Sequence, residues 1–402
     1  MKLNPDEPRP ILISTLCHFI LHLAELSFPA VALLVVAELI RKENAYDRIG
    51  FAFFIFSILF GIMQIAGGFL ADKLGPRKTI WIYLFGAGLS LILVGFAQNY
   101  LMLCASLGLV GTFLGIYHPA GMSLLSRGTR QYGLSMGIHG MGGNFGLALS
   151  PFLASALASL LGWRKGFIAL GLIPIAFSFW VLLDRKLELK PENPSRDPGS
   201  ESETKTRLMF RPILILFLMS ILNGMCYRGF TTFLPAYFNQ RISPNLIPGF
   251  SAVLQAGTFT ALVLVLGMFG QFLAGRLADK YSKEKLFVAV FLIAVPFLFS
   301  LSLLRGLPLI FSAMIFAFFY FANQPIVNSL LPGYSHEKSW GRIYGWFYFM
   351  NFGAGSVMSW IAGSIGEKIA LSYIFMVFAG LLFLAGLLGI PLIRFKTRAA
   401  EI

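Results

Sequence analysis

Charged residues are scarce in this 402-residue chain. Asp, Glu, Lys and Arg together make up 12% of it, whereas soluble globular domains carry about 25%. A folded domain of this length needs a polar surface, and so few charges do not cover one. The composition therefore excludes an ordinary soluble enzyme and a disordered chain, and the 57% share of apolar residues indicates an integral membrane protein.

Cysteine and acidic residues are also few. The three cysteines, Cys17, Cys104 and Cys226, all lie inside apolar runs, and their odd number and spacing fit neither a disulfide framework nor a zinc site. We expect them to be small apolar packing residues. The 18 acidic residues are outnumbered by 32 Lys and Arg, which gives a net charge of +14.

Twelve apolar runs are each long enough to cross a bilayer, which takes about 20 residues in a helix. The first run contains Glu25 and two histidines and follows a polar, proline-rich start, so we interpret it as a retained helix rather than a cleaved signal. The predicted spans are residues 11–39, 49–71, 79–97, 101–125, 133–160, 166–183, 212–238, 251–277, 286–304, 308–332, 341–364 and 370–393.

The distribution of Lys and Arg orients these spans. With the N-terminus in the cytoplasm, 23 of the 32 cations lie on the cytoplasmic side, 8 on the outer side and one, Arg228, within a span. The positive-inside rule then places both termini in the cytoplasm. This asymmetry explains the net charge without a nucleic-acid partner and predicts a multi-pass protein of the cytoplasmic membrane, in contact with the lipid bilayer.

A polar segment divides the chain into two halves of six spans. Residues 185–210 are rich in Pro, Ser and alternating charges, a composition typical of a flexible linker. The predicted domains are therefore an N-terminal six-helix bundle at 1–184, a cytoplasmic linker at 185–210 and a C-terminal six-helix bundle at 211–402.

The two halves repeat each other at an offset of about 207 residues. The matching pairs are GFLADKLGPRK at 68–78 with GRLADKYSKEK at 275–285, HP at 118–119 with QP at 324–325, and NFG at 144–146 with NFG at 351–353. Parallel repeats of this kind are typical of secondary transporters, whose binding site lies between the halves near mid-depth in the membrane.

These residues resemble the major facilitator superfamily. The GFLADKLGPRK stretch is similar to its signature loop between helices two and three. The resemblance implies an all-α integral membrane protein with twelve transmembrane helices in two pseudo-symmetric six-helix bundles. It also implies a cytoplasmic conformational latch, made by Gly68, Asp72, Gly75, Arg77, Lys78 and Asp279. Within the superfamily, IYHPAGMSLLSR and MGGNFGLALSP are similar to the fosmidomycin-resistance branch, which implies efflux of a small organic compound in exchange for protons.

Ionisable residues inside the spans are the candidates for a functional site. Among the acidic residues only Glu25 lies near the middle of a span, where a charged group costs about 2.5–3.5 kcal/mol or more. His18, His22 and Glu25 are spaced to lie on one face of the first helix. We predict that Glu25 carries a proton and that His22 assists it, while His18 is expected to be a packing residue. His139 either faces the cavity or makes a helix–helix hydrogen bond.

The resemblance implies that helices one, four, seven and ten line a central cavity. The predicted substrate-binding residues are His22, Tyr117, His118, Asn223, Tyr227, Arg228, Gln324 and Asn328. Because Arg228 is permanently charged, it must face water, an acid or an anionic substrate. Two roles stay open: a fixed ion pair with Glu25, or bidentate binding of a phosphonate, phosphate or carboxylate.

The leading hypothesis is a proton-coupled secondary transporter of a small organic solute that works by alternating access. Efflux is favoured by the branch resemblance alone, and the same residues would serve proton-driven uptake of an organic anion. A transition-metal transporter is a further alternative, with His18 and His22 as a ligand pair and Glu25, His118, His139 and Cys226 as additional donors.

Other functional classes have little support in the sequence. A nucleophile elbow, a phosphate loop and a pair of catalytic carboxylates are all missing, so we expect neither an enzyme nor a primary pump. No cofactor and no resident metal are expected. Because the predicted site lies between the halves of one chain, we expect a monomer.

Overall fold

The computed structural model describes residues 8–129, 132–184, 187, 209–335 and 340–395. Within these ranges the chain is helical, with short 3-10 and π segments and no β-strand. The predicted linker at 185–210 lies almost wholly outside the described residues. Its flexibility and the domain boundaries therefore stay predictions.

Sixteen α-helices build the described part of the chain. The first half contains α1 (Pro8–Glu25), α2 (Ser27–Ile40), α3 (Tyr46–Leu74), α4 (Pro76–Gly95), α5 (Tyr100–Gly115), α6 (Tyr117–Gly128), α7 (Tyr132–Leu161) and α8 (Trp163–Leu183). The second half contains α9 (Phe210–Arg241), α10 (Ala252–Ala278), α11 (Lys283–Leu301), α12 (Gly306–Phe321), α13 (Asn323–Leu330), α14 (Trp340–Tyr348), α15 (Val357–Lys368) and α16 (Leu371–Gly389). Eleven stretches of the described chain are long and apolar enough to cross a membrane.

Three spans are broken in the middle, and each break precedes a proline. Spans one, four and ten consist of the pairs α1–α2, α5–α6 and α12–α13. Pro29, Pro119 and Pro325 are each the third residue of the second helix. Proline is tolerated there because the first N–H groups of a helix have no intrahelical partner. The breaks in spans four and ten fall at equivalent positions of the sequence repeat, so the structure repeats as the sequence does.

The eleventh span, predicted as one run over 341–364, is the irregular one. A π-helical turn at Phe349–Gly353 and a 3-10 turn at Ala354–Ser356 separate α14 from α15. Isolated π turns are frequent at functional sites. Here the turn lays the backbone of Asn351 directly against Gly224 of α9, where a side chain would overlap it. The π turn thus brings residues of span eleven close to the middle of span seven.

The two halves pack tightly on the side of the bundle that carries the α2–α3 and α15–α16 connections. An added Cβ at Gly50 or Gly363 would overlap the backbone of the facing half, and such small residues let membrane helices approach closely. Lys42 and Glu367 form an ion pair on this side. Hydrogen bonding to Asp47, together with the Lys42 ammonium, lowers the pKa of Glu367 to about 2. A depressed pKa means that the pair is weakened only as the pH falls towards 2, so it stays ionised between pH 5 and 8.

The predicted latch residues lie at or near the α3–α4 and α10–α11 connections. Gly75 joins α3 to α4 with φ +80°, a conformation that glycine adopts without strain. Arg77 donates from Nε to the Val181 carbonyl at 3.2 Å and also contacts Leu182, which ties α4 to α8 within the same half. Asp279 follows α10 at the corresponding place. Gly68, Asp72 and Lys78 lie at the same α3–α4 junction, and the latch role of the whole set stays a prediction.

Candidate functional site

Glu25 and Arg228 form an ion pair that joins the two halves. Arg228 Nη1 donates to Glu25 Oε1 at 2.7 Å, and the two side chains are 0% and 1% exposed. Glu25 is the last residue of α1, immediately before the break, and Arg228 lies near the middle of α9. Charges this deeply buried are stable only when paired. The ion pair that the sequence left open as one role of Arg228 is therefore present.

Only one nitrogen of this guanidinium is paired. Arg228 Nε and Nη2 are buried and have no hydrogen-bond partner among the described residues. Their N–H groups lie along one edge of the planar guanidinium and point the same way. That edge is the one that binds carboxylate and phosphate groups bidentately. The pairing with Glu25 therefore leaves Arg228 able to hold an oxyanion as well.

Aromatic rings enclose the guanidinium. Its Cζ lies 5.1–6.0 Å from the ring centres of Phe53, Phe56, Phe60, Tyr227 and Phe352. Cation–π attraction is worth about 0.5–2 kcal/mol per favourable contact and offsets part of the cost of the unpaired edge. Three of the rings come from α3, and Phe352 comes from the π turn. In this conformation the rings separate the free edge of Arg228 from water.

Two histidines form a series of hydrogen-bond contacts that begins at the other carboxylate oxygen of Glu25. His22 Nδ1 lies 2.6 Å from Glu25 Oε2, and His22 Nε2 lies 3.1 Å from His18 Nε2. His18 Nδ1 lies 2.9 Å from the backbone carbonyl oxygen of His139. We call His18, His22 and Glu25 the His–His–Glu chain. His18, which the sequence analysis expected to be a packing residue, is one of its members.

Two further histidine rings lie against this chain. The His139 ring stacks on His18 with centroids 4.1 Å apart, and the His118 ring lies 5.1 Å from His18 and 5.6 Å from His22. Ligand atoms of His18, His22 and His118 all lie within 4.8 Å of one another. His118 thus lies at the cluster, while its predicted role in substrate binding stays a prediction, and His139 makes a contact between α7 and α1.

Glycines on α7 let the histidines approach. An added Cβ at Gly143 would overlap the His18 ring, and one at Gly146 would overlap the backbone of Phe19. The helix α7 therefore packs closely against α1 through these glycines. Gly137, on the same helix, meets no atom within 4 Å.

Replacing Gly143 with alanine is expected to displace His18 and to lower stability by about 1–3 kcal/mol, the usual cost of overpacking. Thermal unfolding of the purified protein in detergent would measure the change. Gly137→Ala is the matched control and should be neutral or stabilising, because alanine favours a helix by about 0.5–1 kcal/mol over glycine. Equal effects of the two substitutions would contradict a specific contact with His18.

The other predicted substrate-binding residues fall into two groups. Tyr227 packs on the Arg228 guanidinium, and Asn223 donates to Asn351 in the π turn at 3.1 Å. Gln324 accepts from Gln271 at 2.9 Å, and Asn328 accepts from Tyr348 at 3.3 Å. The amide contacts of Asn223, Gln324 and Asn328 are all made within the second half of the chain.

Tyr117 takes a different position. It is fully buried and its hydroxyl donates to the Ser14 carbonyl, which holds α6 against α1. Since its polar atom is engaged in packing, the geometry favours a structural role over the predicted contact with substrate. Its neighbour His118 points to the cluster instead, because the helix restarts at Tyr117 after the break.

The sequence reasoning missed several polar residues between the halves. Asn144 of α7 donates to Gln271 of α10, which links the halves directly. Asn351 pairs with Asn223 across spans eleven and seven. Asn144 and Asn351 are the asparagines of the two NFG copies. The repeat itself was thus an indication that both asparagines make amide contacts, although Asn144 links the two halves and Asn351 pairs within the second half.

Known proteins with the same architecture resemble this chain. The family model for the Major Facilitator Superfamily matches residues 15–359 and 254–401. A probable sulfoacetate transporter of Cupriavidus necator is 27% identical over 271 residues, which cover 62% of this chain and 61% of that protein. A probable L-galactonate transporter of Escherichia coli K12 is 25% identical, over 61% of this chain and 57% of its own length. The chain therefore aligns with less than two thirds of the length of these relatives.

A solved structure resembles the whole chain. The crystal structure of a bacterial homolog to the human lysosomal transporter Spinster, in an inward-facing and occupied conformation, matches with a TM-score of 0.78 and 16% identity over 98% of both chains. At this identity the likeness shows the fold alone. The resemblance to the fosmidomycin-resistance branch stays a prediction. Because the family model covers nearly the entire sequence, the chain belongs to the Major Facilitator Superfamily of membrane transporters.

Proposed function

We propose that this protein carries a small organic anion across the cytoplasmic membrane together with a proton, by alternating access between its two halves. Both termini would lie in the cytoplasm, and one chain would form the whole site. The unpaired edge of Arg228 is the observation that carries the proposal. A buried guanidinium with two unpaired nitrogens is costly, and an entering oxyanion would accept hydrogen bonds from both.

The chemistry of the substrate follows from this edge and its surroundings. Two parallel N–H donors fit carboxylate, sulfonate, phosphonate and phosphate groups. The aromatic rings around Arg228 would accept an apolar or weakly polar remainder. The named substrates of two relatives, sulfoacetate and L-galactonate, are small organic anions of this class.

The ion pair with Glu25 determines the sign of the coupling. An anion at Arg228 lies close to the Glu25 carboxylate, which holds the same guanidinium at 2.7 Å. Two like charges on one guanidinium repel strongly in a low-dielectric interior. A proton on Glu25 removes that repulsion, so proton and anion each favour binding of the other. Positive coupling of this kind moves both in the same direction.

This coupling supports uptake rather than efflux. The branch resemblance favoured exchange of a substrate for protons, which requires that proton and substrate compete. Competition is expected for a cation at Glu25 and not for an anion at Arg228. With protons more concentrated outside the cell, proton and anion moving together give proton-driven uptake, the alternative that the sequence left open.

Transition-metal transport has weaker support. His18, His22 and His118 are close enough together for it, but a divalent ion beside the neutral Glu25–Arg228 pair would leave two uncompensated charges in the membrane interior. A single proton in the same place leaves only one uncompensated charge. We therefore retain the metal alternative only as an outcome of the test.

Sealed liposomes that contain the purified protein and an internal pH dye test the proposal. The external additions are sulfoacetate, galactonate, a sugar phosphate and, as a neutral control, glucose. We expect an anion from this panel to acidify the lumen as it enters, while glucose does not. Alkalinisation of the lumen would indicate exchange and overturn the proposed sign. Proton movement that is abolished by a metal chelator would instead favour the metal alternative.

A further inference from the structure

The His–His–Glu chain contains three consecutive hydrogen-bond contacts, and each contact needs one proton. The contacts are His139 carbonyl to His18 Nδ1, His18 Nε2 to His22 Nε2, and His22 Nδ1 to Glu25 Oε2, at 2.9, 3.1 and 2.6 Å. Two neutral imidazoles and one carboxylate supply only two protons, because each neutral imidazole carries one N–H. To pair all three contacts, the chain needs one more proton than it carries when both histidines are neutral and Glu25 is ionised.

This count does not depend on how the tautomers are assigned. If both Nδ1 atoms carry protons, the two Nε2 lone pairs face each other unless a third proton lies between them. If His22 carries its proton on Nε2, its Nδ1 has only a lone pair. That lone pair then meets the lone pairs of Glu25 Oε2 unless the carboxyl group is protonated. In either arrangement the chain holds three protons. The extra proton lies on the histidine pair in the first case and on Glu25 in the second.

The partner of Glu25 selects between the two arrangements. Arg228 donates to Glu25 Oε1 at 2.7 Å in a site with both side chains buried, and a buried guanidinium requires an ionised partner. Glu25 is therefore a carboxylate in this conformation. The extra proton then lies between the two Nε2 atoms.

We propose that the His18–His22 pair is the binding site of the transported proton, which it holds as a shared N–H–N bond until an anion enters. When an anion binds to Arg228, the Nδ1 proton of His22 passes to Glu25 Oε2. The shared proton becomes the Nε2–H of His22, and His18 keeps its Nδ1–H. Positive charge on the histidine pair and negative charge on Glu25 disappear together. This inference rests on the proposed function, to which it adds the resting position of the proton.

Other titratable or charged groups surround the pair but do not interrupt the relay. They are Tyr83 on α4, Tyr117 and His118 on α6, His139 on α7, Tyr227 and Arg228 on α9, and Tyr348 on α14. The ring of His139 contacts His18 only by stacking, since the group that accepts from His18 is its backbone carbonyl. His18 and His22 are both partly exposed, with the His22 side chain 14% exposed, whereas that of Glu25 is 1% exposed.

Nitrogen NMR of the protein in lipid tests the shared proton without any substrate. With ¹⁵N-labelled histidine, spectra from pH 5 to 8 should show a correlation between two Nε2 atoms through one hydrogen bond at the acid end. His18→Phe should abolish it, because phenylalanine keeps the ring packing but supplies no acceptor. His139→Phe keeps both the stacking and the backbone carbonyl, so it is the matched control and should retain the correlation. A correlation missing from the wild type, or kept in His18→Phe, would overturn the proposal.

The pH dependence of anion binding gives a second, functional readout. In the wild type we expect affinity to rise as the pH falls. In His18→Phe the pH at which affinity is half-maximal, the half-point, should move down by about one pH unit. Removal of one charge-assisted hydrogen bond weakens proton binding by roughly that amount. Strong acid should restore wild-type affinity in His18→Phe. In His18→Gln the side-chain oxygen accepts a hydrogen bond, so the half-point should lie between those of the wild type and His18→Phe. An unshifted half-point would overturn the storage role, and low affinity at every pH would indicate mere structural damage. Absence of anion binding in the wild type would contradict the proposed function instead.

Discussion

Replacing Arg228 with lysine is expected to weaken the binding of organic anions by about 10- to 100-fold. Lysine keeps a positive charge for Glu25, but its ammonium has no planar pair of donors and holds an oxyanion as a point charge. A hydrogen bond to a charged group contributes about 1.5–3 kcal/mol, and each 1.4 kcal/mol is about tenfold in affinity. Calorimetric titration of the purified protein with each anion of the panel would measure the loss.

Arg241→Lys is the matched control for this substitution. Arg241 ends the same helix and lies over the Tyr237 ring at 5.4 Å, far along α9 from the ion pair, so its replacement should leave anion affinity unchanged. A second comparison uses neutral solutes, which the Arg228→Lys protein should handle as the wild type does. Unchanged affinity for anions in Arg228→Lys would mean that Arg228 is only a structural partner of Glu25.

Much of the fold could be predicted from the sequence because its determinants are local. An apolar run of about 20 residues has few stable conformations in a bilayer other than a helix. The repeat of GFLADKLGPRK and NFG then sets the pairing of the halves. The π turn at Phe349–Gly353 could not be predicted, since the WFYFMNFG sequence around it is as apolar as a regular span. The turn exists because α9 and span eleven meet at Gly224, a contact between distant parts of the chain.

The candidate site was predictable only in part, for a related reason. Glu25, His22 and Arg228 are ionisable groups inside apolar spans, so the sequence alone shows that they are important. Which atoms pair is decided by the register between α1 and α9. The free edge of Arg228 depends on that register, whereas the role of His18 depends on its contacts with His22 and with His139 of α7. A sequence also gives no information on which of Tyr117 and His118 faces the cluster, because the helix break decides it.

The Glu25→Gln variant is expected to lose proton-driven accumulation and to retain exchange of the anion across the membrane. Glutamine reproduces the hydrogen bonds of a protonated glutamate: its oxygen accepts from Arg228, and its amide donates to His22 Nδ1 after a tautomer change. The site is thus fixed in the form that favours the anion, and no proton is bound or released there. Anion affinity should consequently lose most of its dependence on pH between 5 and 8, a range in which the Lys42–Glu367 pair outside the site does not titrate.

Two assays on the same liposomes separate coupling from transport for this variant. Counterflow of a labelled anion against unlabelled anion needs no net proton movement, so it should proceed in Glu25→Gln at a rate close to that of the wild type. Accumulation driven by an imposed pH gradient should fall to the level of empty liposomes. Glu38→Gln, at an exposed carboxylate that binds Arg164 and Trp163, removes one charge without touching the site and should keep both activities.

Glu25→Ala differs from Glu25→Gln because it leaves the Arg228 charge buried and unpaired, at a cost of about 3–5 kcal/mol in stability. Driven accumulation that survives in a folded Glu25→Gln protein would show that the coupling proton does not pass through Glu25, and the positive coupling between proton and anion would then need another carboxylate.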